Sequence, residues 1–145
     1  MNKLRIRPST PVDAHQTALM CAAAALEKKA FALTLLNVKD LAGYADYFLF
    51  GSGSSTRQVT AIAEKIHTTM KKAGLRPLGV SGIREGSWAL IDLGDVIVHI
   101  FHDPVREFYD LEAFWGDAPI ENIDSEQLTG LLPRKRKLRE LPDEE

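Results

Sequence analysis

A single α/β domain built on a mixed sheet is the fold this sequence predicts, and three observations carry that reading. The chain has 145 residues, enough for one domain and short of two comfortable ones. Helical and strand periodicities follow one another in the order α-β-β-α-β-β-β-α. Residues 88–92 and 96–101 are apolar runs joined by Leu93-Gly94-Asp95, a hairpin signal that requires antiparallel pairing and so mixes the sheet.

Taken in order, residues 1–12 with Pro8 and Pro11 read as an N-terminal arm. The run Thr10-Pro11-Val12-Asp13 predicts a helix start, with threonine as cap, proline in the first turn and Asp13 set against the helix dipole. Val12, Leu19, Ala23, Leu26 and Ala30 recur along one face, and the helix should reach about Lys29. Residues 31–38 predict a buried strand, followed by a loop with Asp40, Gly43 and Asp46. Tyr47-Phe48-Leu49-Phe50 is apolar throughout, which predicts a strand covered on both faces. It should end in the turn Gly51-Ser52-Gly53-Ser54-Ser55. A long helix then begins, with Ser55 and Gln58 at capping-box spacing. Val59, Ile62, Ile66, Met70 and Ala73 form its inner stripe, and Gly74 is a natural stop. Residues 78–80 predict a short strand and 81–87 a loop before the hairpin. Asp103-Pro104 opens a last helix, with Val105, Phe108, Leu111, Glu112 and Trp115 on one side. After Pro119 the pattern is lost, and residues 133–145 predict a mobile, charge-rich tail.

Composition narrows the class. The chain is 45% hydrophobic and 26% charged, as expected of a globular protein rather than a disordered one. Its single cysteine, Cys21, allows no intramolecular disulfide and no cysteine-based structural zinc site. No apolar run approaches the ~18 residues of a membrane span, and no apolar signal core opens the chain. A soluble, cytoplasmic protein is the expectation. The net charge of −2 hides an uneven distribution: residues 85–117 hold eight acids and one base, Arg106. An acidic surface of that kind is a poor phosphate binder and suits a basic protein partner. A solvated acidic face is the alternative reading.

Few residues point to chemistry. The glycine-serine turn at 51–55 lies where backbone N–H groups could cradle a phosphate, yet it lacks a P-loop lysine and dinucleotide glycine spacing. A tight turn with a serine cap explains it as well. Asp92 and Asp95 are three apart with Gly94 between, whereas carboxylates on one face of a strand stand two apart; a hairpin turn with two solvated acids fits better than a metal pair. His99 reads as a hydrogen-bonded structural residue of its strand. His15, His67 and His102 show no ligand spacing. Cys21 reads as packing within an alanine-rich helix. Trp88 stands apart. It follows Arg84-Glu85-Gly86-Ser87 and shares a strand face with Leu90 and Asp92. An exposed tryptophan beside Leu93 and two acids has the character of an interface anchor, with core packing as the alternative.

Several of these pieces in order resemble one family. They are Asp46-Tyr47-Phe48 leading to Gly51-Ser52-Gly53-Ser54-Ser55 with Gln58, then Glu85-Gly86-Ser87-Trp88, and then the run from Asp92-Leu93-Gly94-Asp95-Val96 through Ile97-Val98-His99-Ile100-Phe101. Arg106, Tyr109, Leu111-Glu112 and Trp115 come after them. Together they resemble the ribosomal silencing factor (Iojap-like) family over residues 13–117, with the arm 1–12 and the tail 118–145 outside that core. The resemblance implies a nucleotidyltransferase-like α/β fold without catalytic carboxylates, no enzyme activity and no cofactor or metal. It implies binding to large-subunit ribosomal protein L-fourteen, a block to joining of the small and large subunits, repression of translation and a homodimer when free. By position it points to Trp88, Leu93 and Asp95 as contact residues, with Glu85 and Asp92 as neighbours. It leaves direct nucleic-acid contact open, including contact through the basic run 134–139. The alternative from another class is a nucleotide-binding or nucleotidyltransferase enzyme using the 51–55 turn with Asp92 and Asp95.

Overall fold

The computed structural model describes residues 13–124 and Leu128. The expectations for the N-terminal arm, for Thr10 as a helix cap and for the tail from Pro133 therefore lie outside the described residues. Within them the chain forms α1 (Ala14–Glu27), β1 (Phe31–Asn37), α2 (Lys39–Ala42), β2 (Tyr47–Gly53) and α3 (Thr56–Lys72). It continues through β3 (Gly79–Ser81), β4 (Trp88–Asp92), β5 (Val96–His102), α4 (Asp103–Tyr109), α5 (Leu111–Phe114) and β6 (Ile120–Asn122). The six strands make one mixed sheet in the order β3-β4-β5-β2-β1-β6. Strands β2 and β5 run parallel, and every other neighbouring pair is antiparallel. The single mixed α/β sheet agrees with the sequence. The short elements α2, α5 and β6 do not emerge from it, because three or four residues are too few to display a period.

Three predicted details of α1 are corrected. Asp13 itself is the cap, its carboxylate accepting the Gln16 N–H at 2.8 Å, and the helix ends at Glu27 rather than Lys29. Its buried side is Thr17, Ala18, Cys21 and the alanines beyond it; of the predicted stripe Ala23 and Ala30 are buried, while Leu19 and Leu26 are only partly so. Small side chains let α1 lie close to its neighbours, so the leucines end up at the margin of the core. Helix α3 follows its sequence signals more closely. Ser55 Oγ accepts the Gln58 N–H at 3.0 Å, and Val59, Ile62, Ile66 and Met70 are fully buried. At its other end Gly74 adopts φ +83°, with Gly74 N–H donating to Lys71 O and Leu75 N–H to Met70 O, a Schellman closure.

The sheet separates two apolar layers. On one face Leu35, Leu49, Ile91, Val98 and Ile100 pack with the inner stripe of α3 and the alanines of α1. On the other, Leu36, Phe48, Phe50 and Phe101 meet Val105, Leu111 and Trp115. Strand β2 supplies both layers and is buried along its whole length, as its continuous apolar run predicts. It also runs on through Gly51, Ser52 and Gly53, so the turn is only Ser54 and Ser55. The two glycines are packing positions. A Cβ on Gly51 would stand 2.8 Å from Leu33 Cδ2, and one on Gly53 would stand 3.0 Å from Val59 Cγ2.

The predicted last helix is broken in two. Asp110 takes a left-handed conformation at φ +47°, which ends α4 and sends α5 off in a new direction. Phe108, set by its spacing on one side with Val105 and Leu111, is 80% exposed. Arg106 ties the two short helices to the sheet. Its guanidinium is held by Glu112 at 2.8 and 3.0 Å and donates to Ala32 O at 2.8 Å and Ser52 Oγ at 2.9 Å.

Candidate functional site

The second sheet face is covered over β1 and β2 by α4, α5 and Trp115 and stays partly open at β4. Register places Trp88, Leu90 and Asp92 on that face, opposite Phe101, His99 and Ile97 of β5; Trp88, Leu90, Asp92 and Ile97 are all half-buried. The loop that delivers Trp88 is bent by Gly82 and Gly86, at φ +73° and +75°. A Cβ on Gly82 would fall 2.0 Å from Trp88 O, and one on Gly86 would fall 2.3 Å from Thr56 O. The loop is thus pressed against both β4 and the start of α3, and only glycine fits.

Trp88 packs against the sheet and leaves one edge open. Its ring lies 5.0 Å from that of Phe101 in a stacked arrangement, and its Nε1–H donates to His99 Nδ1 at 3.1 Å. It is half-buried rather than freely exposed, which corrects the picture of a bare anchor. Its outer edge lines a cavity of about 630 Å³ with Glu85, Ser87, Val105, Phe108 and Tyr109. His99 is the hydrogen-bonded structural histidine the sequence suggested. Burial lowers its pKa to about 4, so the ring is neutral and can accept the tryptophan's proton. Burial likewise raises the Cys21 thiol to about 12, consistent with packing and far from a reactive thiolate.

The other candidates sit at the far end of β4. Asp92 Oδ1 accepts the Gly94 N–H at 2.8 Å, and Leu93 N–H donates to Val96 O at 2.9 Å: this is the predicted hairpin turn. Asp95 is exposed, while its carbonyl accepts the N–H groups of Asp46 and Tyr47 at 2.8 and 3.0 Å. Leu93 packs against the opposite layer, the one shared with α1 and α3. The structure therefore divides the five candidates. Glu85 and Trp88 share one end of β4, while Asp92, Leu93 and Asp95 form the turn at the other, roughly 13 Å away at strand rise. Leu90 and Ile97 lie between them on the open face. Phe108 and Tyr109, at 80% and 54% exposure, extend the apolar surface. Helical spacing set Phe108 on one side with Val105 and Leu111, whereas α4 presents it to solvent.

The enzyme reading needs the glycine-serine turn near Asp92 and Asp95, and the fold keeps them apart. Tyr47 pairs with Val96, and Gly53 pairs with His102. The turn after Gly53 and the turn before Val96 therefore stand at opposite ends of the β2–β5 pair, about 20 Å apart. At Ser54–Ser55 the polar groups are already engaged: Ser54 N–H and Oγ both contact Gln58 Oε1, and the Gln58 amide donates to Lys28 O and Lys29 O. Among the described residues no group of three or more His, Cys, Asp or Glu side chains could hold a metal ion. No helix among them is long and apolar enough to cross a membrane.

Residues 11–143 match the family described as RsfS, ribosomal silencing factor during starvation. The chain belongs to the ribosomal silencing factor family. The ribosomal silencing factor RsfS of Bacillus subtilis (strain 168) is 41% identical over 105 residues, spanning 72% of this chain and 89% of that protein. The chloroplastic protein Iojap of Zea mays is 37% identical over 105 residues, 72% of this chain and 46% of its own. Among solved structures, protein CV0518 from Chromobacterium violaceum superposes with a TM-score of 0.70 at 32% identity, covering 72% of this chain and 87% of that one. A ribosomal silencing factor with this sheet thus carries its half-open aromatic face beside its most acidic stretch.

Proposed function

We propose that this silencing factor acts in the cytoplasm by binding ribosomal protein L-fourteen on the large subunit and blocking the approach of the small subunit. Translation falls because a surface is occupied; no bond is made or broken. When free, the chain pairs with a second copy of itself. The observation that carries the reading is the open part of the second sheet face, where Trp88 and Leu90 remain half-buried beside exposed Phe108 and Tyr109. The surrounding sequence, residues 85–117, has eight acids and one base. That base, Arg106, is already paired with Glu112, so the face offers a basic protein an acidic rim around an aromatic centre. Trp88 is the anchor in this reading, with Glu85 beside it. Asp95, Leu93 and Asp92 make a second contact at the hairpin turn.

Purified large subunits should carry the protein down on sedimentation, and subunits loaded in this way should pair slowly with added small subunits. Absence of both effects would refute the proposal. Trp88→Ala should weaken L-fourteen binding by about 2 kcal/mol or more, roughly 30-fold. If Trp88→Ala and Leu93→Ala, both folded, hold L-fourteen as the wild type does, the site is elsewhere.

A further inference from the structure

The opposite charge is gathered on the far side of the molecule. Residues 55–84 contain six bases and one acid, Glu64. Arg57, Thr60, Glu64, His67 and Lys71 succeed one another at three- and four-residue steps on α3, which sets them along one stripe. The segment 76–84 lies beside that stripe. Thr60 Oγ1 donates to Ile83 O, and a cleft of about 200 Å³ at the C-terminal end of α3 is lined by His67, Lys71, Arg76, Pro77, Gly79 and Val80. Lys71 and Arg76 are exposed, and among the described residues neither takes part in an ion pair, whereas Lys65 is bound to Glu27 at 3.1 Å. They are not needed as caps either, because Gly74 and Leu75 already close the end of α3. Arg57 and Arg84 mark the other end of the stripe, about 20 Å along the helix axis.

We propose that this cleft and the stripe leading from it bind the phosphodiester backbone of RNA. Arg57 and Lys71 stand at the two ends of the stripe, with Arg84 and Arg76 in the adjoining segment and Glu64 the one acid between them, so cations spaced along the helix match a ligand whose negative charges are themselves strung in a line. The cleft has no Phe, Tyr or Trp side chain and only the His67 ring among its lining residues, so its chief offer is to the backbone rather than to a run of stacked bases. The assignment extends the ribosomal reading, since one side of the molecule would meet basic protein while the other meets RNA. Its test stands apart from that reading.

The probe is a fluorescent RNA duplex of about 20 base pairs and arbitrary sequence, titrated with the full chain across roughly 50–200 mM salt. The wild type should bind with a steep salt dependence. Lys71→Glu/Arg76→Glu should lower affinity at least about tenfold and take about 2 from the log–log salt slope, one per lost phosphate contact. The same variant should hold isolated L-fourteen normally, while Trp88→Ala should leave RNA binding unchanged; failure on RNA is thereby separated from failure of the docking face. The assignment is overturned if the wild type ignores RNA at low salt, or if the double variant binds as the wild type does. It also falls if only charge reversal of Arg134 and Arg136 removes binding, or if polyglutamate of equal charge binds as tightly, which would mark a surface for acidic protein.

Discussion

Trp88 and His99 form a unit that neither residue's sequence context describes fully. The strand pattern placed both correctly, and the hydrogen-bonded reading of His99 comes from its position among apolar neighbours. That the donor would be Trp88 depended on β4 pairing with β5 so that Leu90 faces His99 and Trp88 stands two pairs further along, on the same face. The unit has a consequence for acid stability. In the folded protein His99 stays neutral down to about pH 4, whereas in the unfolded chain it gains its proton below the usual 6.5. Stability is therefore complete above about pH 6.5 and declines as pH falls toward 4, by up to about 3 kcal/mol. Urea titrations at about pH 7 and pH 4.5 should show this loss in the wild type and a smaller one in His99→Gln, whose other titrating groups are unchanged. Equal losses in the two proteins would show that His99 does not drive the acid response.

At the level of elements, the decisive part is the clamp made by Arg106. Its guanidinium reaches Glu112 in α5, Ser52 in β2, and Ala32 O and Thr34 Oγ1 in β1. The β1 end of the clamp is irregular, with Ala32 at φ +53° and the register against β2 shifting between Phe31 and Thr34. That bulge turns a backbone carbonyl toward the arginine. Arg106→Ala should destabilise the fold by about 3 kcal/mol, since Glu112 and a bulged carbonyl lose their partner together. Arg106→Lys should recover only a small part, because one ammonium cannot serve both sides of the planar fork. The midpoint of urea unfolding measures both, with the slope unchanged if only stability is altered. From sequence Arg106 is the one base in an acidic stretch and part of the family resemblance, with no partner indicated. Its partner Ala32 lies 74 residues away, beyond the reach of any local spacing rule.

For the whole molecule, local signals carried the two long helices and the hairpin, because caps, stripes and turn glycines act within a few residues. Strand order was not available from them. Only the parallel β2–β5 pair shows that the glycine-serine turn and the Asp92–Asp95 turn point to opposite ends of the sheet, and that Trp88 and Leu93 lie on different sides of it. Charge arithmetic located the acidic stretch, and the fold then set it apart from the basic side of α3. We predict that the association rate with a basic protein partner falls as salt rises from about 50 to 300 mM, while dissociation changes far less; stopped-flow traces with equal effects on both rates would count against steering by this separation. The sheet is bounded by β3 and β6, of three residues each. A chain with a half-open aromatic face and a six-stranded sheet is exposed to a separate hazard, stacking edge to edge into fibrils. Margins this brief give a passing strand too few rungs to hold, so the open face can exist without the edges recruiting further strands.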